Sequence, residues 1–292
     1  MSAQAKVPVD LLSDALDVLA AAVTFSPAVP STSHVVVRVD GLEAAGVPVA
    51  LGRYLVGAVA GAVGVDARLS EQMLARGVNR QEEIRREVVG LIGVTNVFRT
   101  VEDRRFRDTR RNAWIGEGVA HALLMLSAMR ETPCVDGQVH ALTAVHPTTT
   151  RQGLDSVSAY VQSGVLGIAI GESKATCSRT SENLGDAIGL FVQIEQGEYQ
   201  QDLRRELLAF RHVLPSELAV QLRDSLWTDN ASYLPMIVHQ DPYDFMNPRP
   251  NLAGLAQPLE RRRVIVVQLA QFHAFFDAVA DAMRAAVSEV VV

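Results

Sequence analysis

Cysteine is scarce in this chain: Cys134 and Cys177 are the only two in 292 residues. That excludes a disulfide framework and a cysteine-rich zinc site. There is no surplus of positive charge either. The formal net charge is -6 and the sequence pI is near 5.7. Nonspecific nucleic-acid binding through overall charge is therefore not expected, and any nucleic acid has to meet a local basic patch. No apolar run makes a convincing membrane span. The most apolar stretch, residues 47–65, contains Arg53 and four glycines. The N-terminal segment carries Asp10, Asp14 and Asp17 inside its apolar region, unlike a secretory signal. A soluble, cytoplasmic protein is the expectation. Internal repeats and low-complexity tracts are absent. The chain is rich in Ala, Val and Arg and poor in Lys, which speaks to genome bias rather than function.

What is present is a large apolar fraction, 48% of residues, ample for a real core. One large domain, or one with a small appendage, is expected. Residues 9–23 have helical spacing, and His34–Val39 reads as a short strand. Residues 47–64 predict a buried helix and Asp66–Arg76 another, with Gly77 past its end. Asn79–Thr100 predicts a helix capped by Asn79, with Ile84, Val88, Leu91, Ile92 and Thr95 on one face. Asn112–Arg130 predicts a further helix. Val139–Val145 reads as a strand and His146–Thr150 as a loop. A helix capped by Ser181 carries Leu184, Ile188 and Phe191, and Glu198–Phe210 forms another. Residues 228–258 hold five prolines and read as loop-rich, with a short strand YLPMIVH inside. Residues 264–292 read largely as a closing helix.

One stretch organises the rest: Val165–Thr176, VLGIAIGESKAT. Its aliphatic first half predicts a buried strand. The strand then delivers Glu172 and Lys174 two positions apart, hence on the same face. Just before it, DSVSAYV reads as a partner strand joined through a short Gln162-Ser163-Gly164 turn. Asp155 would then face the Glu172/Lys174 end. Two carboxylates and a lysine on paired strand ends suit a hard divalent cation such as Mg²⁺ or Mn²⁺. Asp155 and Glu172 are the expected ligands, the Ser173 backbone carbonyl could add a third, and Glu117 could complete the acidic cluster. Glu117 stands between Gly116 and Gly118 in an otherwise apolar helix. Two interior glycines cost roughly 1 kcal/mol each, a cost accepted for close packing or close approach. His121, one turn later, reads more readily as a structural histidine. The segment 99–111 holds six arginines against three acids. It is either a solvated face with internal ion pairs or a phosphate-contact patch, with Arg104, Arg105, Arg110 and Arg111 as the DNA-binding candidates.

The order Glu117, Asp155, Glu172-Ser173-Lys174 resembles the PD-(D/E)xK nuclease superfamily, with Leu154-Asp155 in place of the leading Pro-Asp. The wording G-L-D followed by G-E-S-K-A-T is similar to the effector nuclease subunits of the Hachiman anti-phage system (HamA-type), over roughly residues 85 to 195. The resemblance implies a mixed α/β fold: a restriction-endonuclease-like core of a small mixed sheet flanked by helices, with additional N- and C-terminal helices. Outside the resemblance, residues 1–80 read as a mostly helical region, which with 228–258 is a candidate for partner contact because the site leaves it unexplained, and 81–292 as the nuclease core with its C-terminal extension, separate or continuous. The resemblance further implies a Mg²⁺-dependent DNA nuclease with catalytic Glu117, Asp155, Glu172 and Lys174, paired with and restrained by a superfamily 2 helicase. The alternative is a catalytically silent module on the same fold that acts through partner binding. A Schiff-base lysine at position 174 and a purely structural Glu172–Lys174 ion pair are the remaining rivals.

Overall fold

The computed structural model describes residues 6–74, 80–146, 153–222, 230–255 and 258–290. The expected Asn79 cap, the Gly77 stop and the Pro147–Thr150 loop lie outside these residues.

The chain opens with helix α1 (Pro8–Ala22), whose Leu11, Ala15, Leu16 and Leu19 form the buried stripe that the spacing predicts. Two short strands, β1 (Thr24–Phe25) and β2 (Val29–Pro30), lead into β3 (Val35–Asp40). The apolar run after it is one helix, α2 (Val47–Leu74), rather than the two expected. Helix α3 (Arg80–Ile92) stops short of Thr100, because Gly93 takes a φ of +79° that turns the chain out of the helix. Thr95 therefore lies beyond the helix and is not part of its apolar face.

A capping box between Thr100 and Asp103 starts helix α4 (Val101–Phe106). One π-helical turn, Arg107–Arg111, then joins it without a break to α5 (Asn112–Met129). Strands β4 (Gln138–Leu142), β5 (Ser156–Gln162) and β6 (Val165–Thr176) follow, then helices α6 (Thr180–Glu195) and α7 (Gln200–Phe210). Ser181 lies inside α6 and does not cap it. The cap position is Arg179, with no side-chain cap bond.

The region that reads as loop-rich supplies β7 (Ala231–His239), nine residues buried throughout. The start of the expected closing helix is instead a strand, β8 (Arg263–Gln268), followed by helix α8 (Phe272–Ala286). A run such as Val264–Val267 has no period to separate strand from helix.

The eight strands among the described residues form one sheet in the order β1-β3-β8-β7-β6-β5-β4, with β2 also on β3. The four central strands, β6, β7, β8 and β3, are parallel, while β5 and β4 add on antiparallel. The mixed α/β class agrees with expectation, but the sheet is large rather than small, and the N-terminal region contributes β3 to it. Both faces are covered. Val37, Val39, Ala169, Met236, Val238, Ile265 and Val267 pack with α1, α2, α3, α5 and α8. Val36, Ile168, Ile170, Tyr233, Ile237, Val264 and Val266 pack with α6 and α7 on the other side. Burial on both faces explains why these strands read as continuous aliphatic runs without alternation. Pro235 sits within β7, where it has no N–H to donate; the β7–β8 ladder resumes at Met236, after an isolated bridge at Tyr233. No described helix is long and apolar enough to cross a membrane.

Candidate metal centre

The site begins with the length difference between two strands. The β5–β6 hairpin turns through Ser163 and Gly164, whose φ values of 49° and 82° both suit a two-residue primed turn. Pairing then runs from Gln162–Val165 to Ser156–Gly171, where β5 begins. Among the described residues, strand β6 continues to Thr176 with only β7 beside it. Beyond Gly171 one edge of β6 is therefore open. Asp155 stands at that opening, and its Oδ2 accepts the Ser173 N–H at 2.7 Å. A strand residue points its N–H and C=O to the same edge, so the Ser173 carbonyl faces the opening too.

Alternation sorts the remaining side chains. Glu172 and Lys174 follow Ile168 and Ile170 on the α6 side, and Lys174 Nζ donates to Glu172 Oε1 at 2.6 Å. Ser173 and Ala175 face α5. A β-carbon added to Gly116 would lie 3.1 Å from the Ala175 methyl and 3.5 Å from Ser173 Oγ. One added to Gly118 would meet Leu55 of α2 at 2.4 Å. The two glycines thus let α5 wedge between sheet and α2, and Glu117 between them reaches the open edge. There it meets Asp155 and a residue that the sequence placed only in a loop, His146. One ligand atom from each of Glu117, His146 and Asp155 lies within 4.8 Å of the others. His146 Nδ1 is 3.4 Å from Glu117 Oε2, and the His146 carbonyl is held by Trp114 Nε1–H at 2.8 Å.

The electrostatics are those of an acidic cluster short of positive charge. Burial, then the Glu172 and Glu117 charges, push the Asp155 carboxyl well above the ordinary range. Burial also raises Glu172, against the opposing pull of Lys174. For Lys174, burial favours loss of the proton, but the charge and hydrogen bond of Glu172 outweigh it and leave the ammonium raised. Glu172 Oε2 is buried without a hydrogen-bond partner, and buried Glu117 Oε2 has only the His146 ring nitrogen near it, in a contact too poor to count as a hydrogen bond. Such oxygens call for a cation or a proton. A donor set of carboxylates, a backbone carbonyl and one imidazole suits Mg²⁺ or Mn²⁺. The cleft over these groups has a volume of roughly 500 Å³ and is bounded by α5 on one side and the start of α6 on the other.

The structure thus brings Glu117, Asp155, Ser173 and Lys174 to one cleft, while Glu172, buried and bonded to Lys174, is not part of its wall. It separates the four arginines. Arg104, Arg105 and Arg110 are exposed along α4 and the π turn. Arg111 is fully buried, paired with Asp277 at 2.7 Å, bonded to Asn96 and stacked on Phe98, so it cannot serve as a surface phosphate contact. His121 bridges the Tyr54 hydroxyl and the Thr143 carbonyl, and burial pushes its pKa down to about 4. It is a structural histidine. His146 was missed because its approach to Glu117 depends on a loop whose path no local pattern encodes. No protein-family model matches the chain, and no curated protein matches it significantly.

Proposed function

We propose that this protein is a divalent-metal-dependent nuclease. The observation that carries the reading is the open edge of β6, where three acids crowd around one strand end with a lysine beside them, Glu172 Oε2 buried without a partner and Glu117 Oε2 facing only the His146 ring nitrogen. Stability alone does not favour that arrangement: like charges are buried together without enough counter-charge. Asp155, Glu117, His146 and the Ser173 carbonyl would hold the cation, with Glu172 in a supporting role. When bound, the cation supplies a Lewis acid that offsets charge developing on a scissile phosphate. Lys174, kept protonated by Glu172, orients a phosphate oxygen and stabilises added negative charge rather than acting as a base. Asp155 also fixes the strand end by accepting the Ser173 N–H.

The setting rests on the resemblance of G-L-D and G-E-S-K-A-T: an effector of bacterial anti-phage defence, held in check by a superfamily 2 helicase subunit. The acidic bulk charge supports a chain that depends on a partner to reach DNA. The test is plasmid cleavage by the purified chain with Mg²⁺, with Mn²⁺, with EDTA, and with Lys174→Ala. We expect chelator-sensitive cleavage that falls by roughly 100-fold or more in the variant while its fold is retained. Cleavage that ignores both EDTA and the substitution rejects the metal nuclease. If the chain is silent both alone and with a helicase partner and DNA ends, the non-catalytic interaction module replaces it.

A further inference from the structure

The candidate cleft has a second wall that the metal chemistry does not use. Asn112, on α5 one turn before Gly116, is 1% exposed and lines the cleft. Its Oδ1 accepts Arg111 Nε–H at 3.0 Å. A guanidinium only donates, so this bond fixes which end of the amide is oxygen. The Nδ2 end therefore points away from Arg111, and it is buried without a partner. Ser173 Oγ, also lining the cleft, is buried and unpartnered as well. Helix α6 starts at the same cleft, with Ser178 and Arg179 on its lining and no side-chain cap on its first turn. Lys174 lines the cleft too, its side chain 29% exposed and its ammonium donating to Glu172. Two orphaned donors, a helix N-terminus without a side-chain cap and an ammonium held on one side by Glu172 line this one cleft. The ligand that complements such a wall is an oxyanion with several acceptors.

We infer that Asn112 Nδ2, Ser173 Oγ and the α6 N-terminus form a phosphate-binding subsite beside the acidic cluster. This deepens the nuclease reading and rests on it for the identity of the ligand, a phosphodiester of a nucleic acid. The acidic edge would then hold the cation and the amide wall the phosphate, so the cleft sorts the two charges before any chemistry.

The test is binding without turnover. Inorganic phosphate and a short single-stranded oligonucleotide are titrated in EDTA against the wild type, Asn112→Asp and Ser173→Ala. Asn112→Asp keeps the acceptor for Arg111 and replaces the donor by an anionic oxygen of the same shape. We expect both ligands to bind the wild type, and Asn112→Asp to weaken both by about 10- to 100-fold with thermal stability retained. Ser173→Ala, which alters no backbone group, should weaken them by a smaller factor and covers the case in which the aspartate variant does not fold. Equal binding by wild type and both variants, or no binding of either ligand by wild type, overturns the subsite. If phosphate binds and responds to the variants but the oligonucleotide does not bind, the subsite stands and the nucleic-acid assignment falls. The plasmid assay reports separately on the nuclease reading.

Discussion

At the residue scale the informative group is Asp155, a carboxyl pushed upward by burial and by its acidic neighbours. A carboxyl with a folded-state pKa above its unfolded value binds more protons in the native state. It therefore weakens the fold as pH rises from about 4 through the raised value. Asp155→Asn removes that charge and keeps an oxygen to accept the Ser173 N–H. In EDTA at pH 8 the variant should melt higher than wild type by at least about 2 °C, a shift worth roughly 1 kcal/mol. The gap should narrow towards pH 4. Equal melting temperatures at both pH values would show that Asp155 carries no such penalty. The same substitution should abolish metal-dependent stabilisation, since a ligand that binds only the folded state raises its stability. Differential scanning fluorimetry with and without Mn²⁺ reads this directly. Asp155, Glu172 and Lys174 were legible in the sequence because strand alternation and hairpin length are local. A further signal lay in composition: the chain has two lysines, Lys6 and Lys174, and one of them is here. His146 and the orphaned Asn112 amide were not legible, because each depends on a contact between distant elements.

At the element scale the glycines around Glu117 repay attention, since helix propensity and packing pull in opposite directions. Alanine at 118 would favour an isolated helix by roughly 1 kcal/mol. In the folded chain its methyl runs into Leu55, itself fully buried. Overpacking of that kind costs about 1 to 3 kcal/mol, so Gly118→Ala should lower the denaturation midpoint. Glu117 should shift with it, and metal affinity should drop in isothermal titration. A variant more stable than wild type would mean that α2 yields and that the wedge is unimportant. The expected helices survived best, because periodicity over several turns is redundant. Strand β7 was legible as the short run YLPMIVH, two residues shorter than the strand that forms, whereas β8 was not, because an unbroken aliphatic run hid it. Its identity is set by the neighbours that cover both faces, which lie far away in sequence.

On the scale of the whole molecule, an acidic protein must concentrate what positive charge it has. Arg107 is spent on Asp108, and Arg111 on Asp277. Arg104, Arg105 and Arg110 remain exposed on the arm that leads into α5. Replacing all three by glutamine should weaken DNA binding at low salt and flatten the dependence of log affinity on log salt. Each lost phosphate contact is worth about 0.9 in slope. An unchanged slope would remove the arm from the interface. The arm and the cleft are also tied mechanically, because buried Arg111 joins the loop at Asn96 and Phe98 to Asp277 of α8.

The parallel centre of the sheet carries a consequence in time. Strand β8 lies between β7 and β3, and its partner residues on β3 come from the opposite end of the chain, with Val35 facing Arg263. Among the described strands it is also the last in sequence. Until it inserts, β7 has one bare edge and β3 holds only short antiparallel pieces, and closing so long a loop is entropically slow. A ribosome-bound fragment ending before residue 263 therefore cannot seal the sheet that seats Glu172 and Lys174. The order of translation itself acts as a delay, and the strand end that bears the candidate chemistry is set firm only after residues 263–268 have been made.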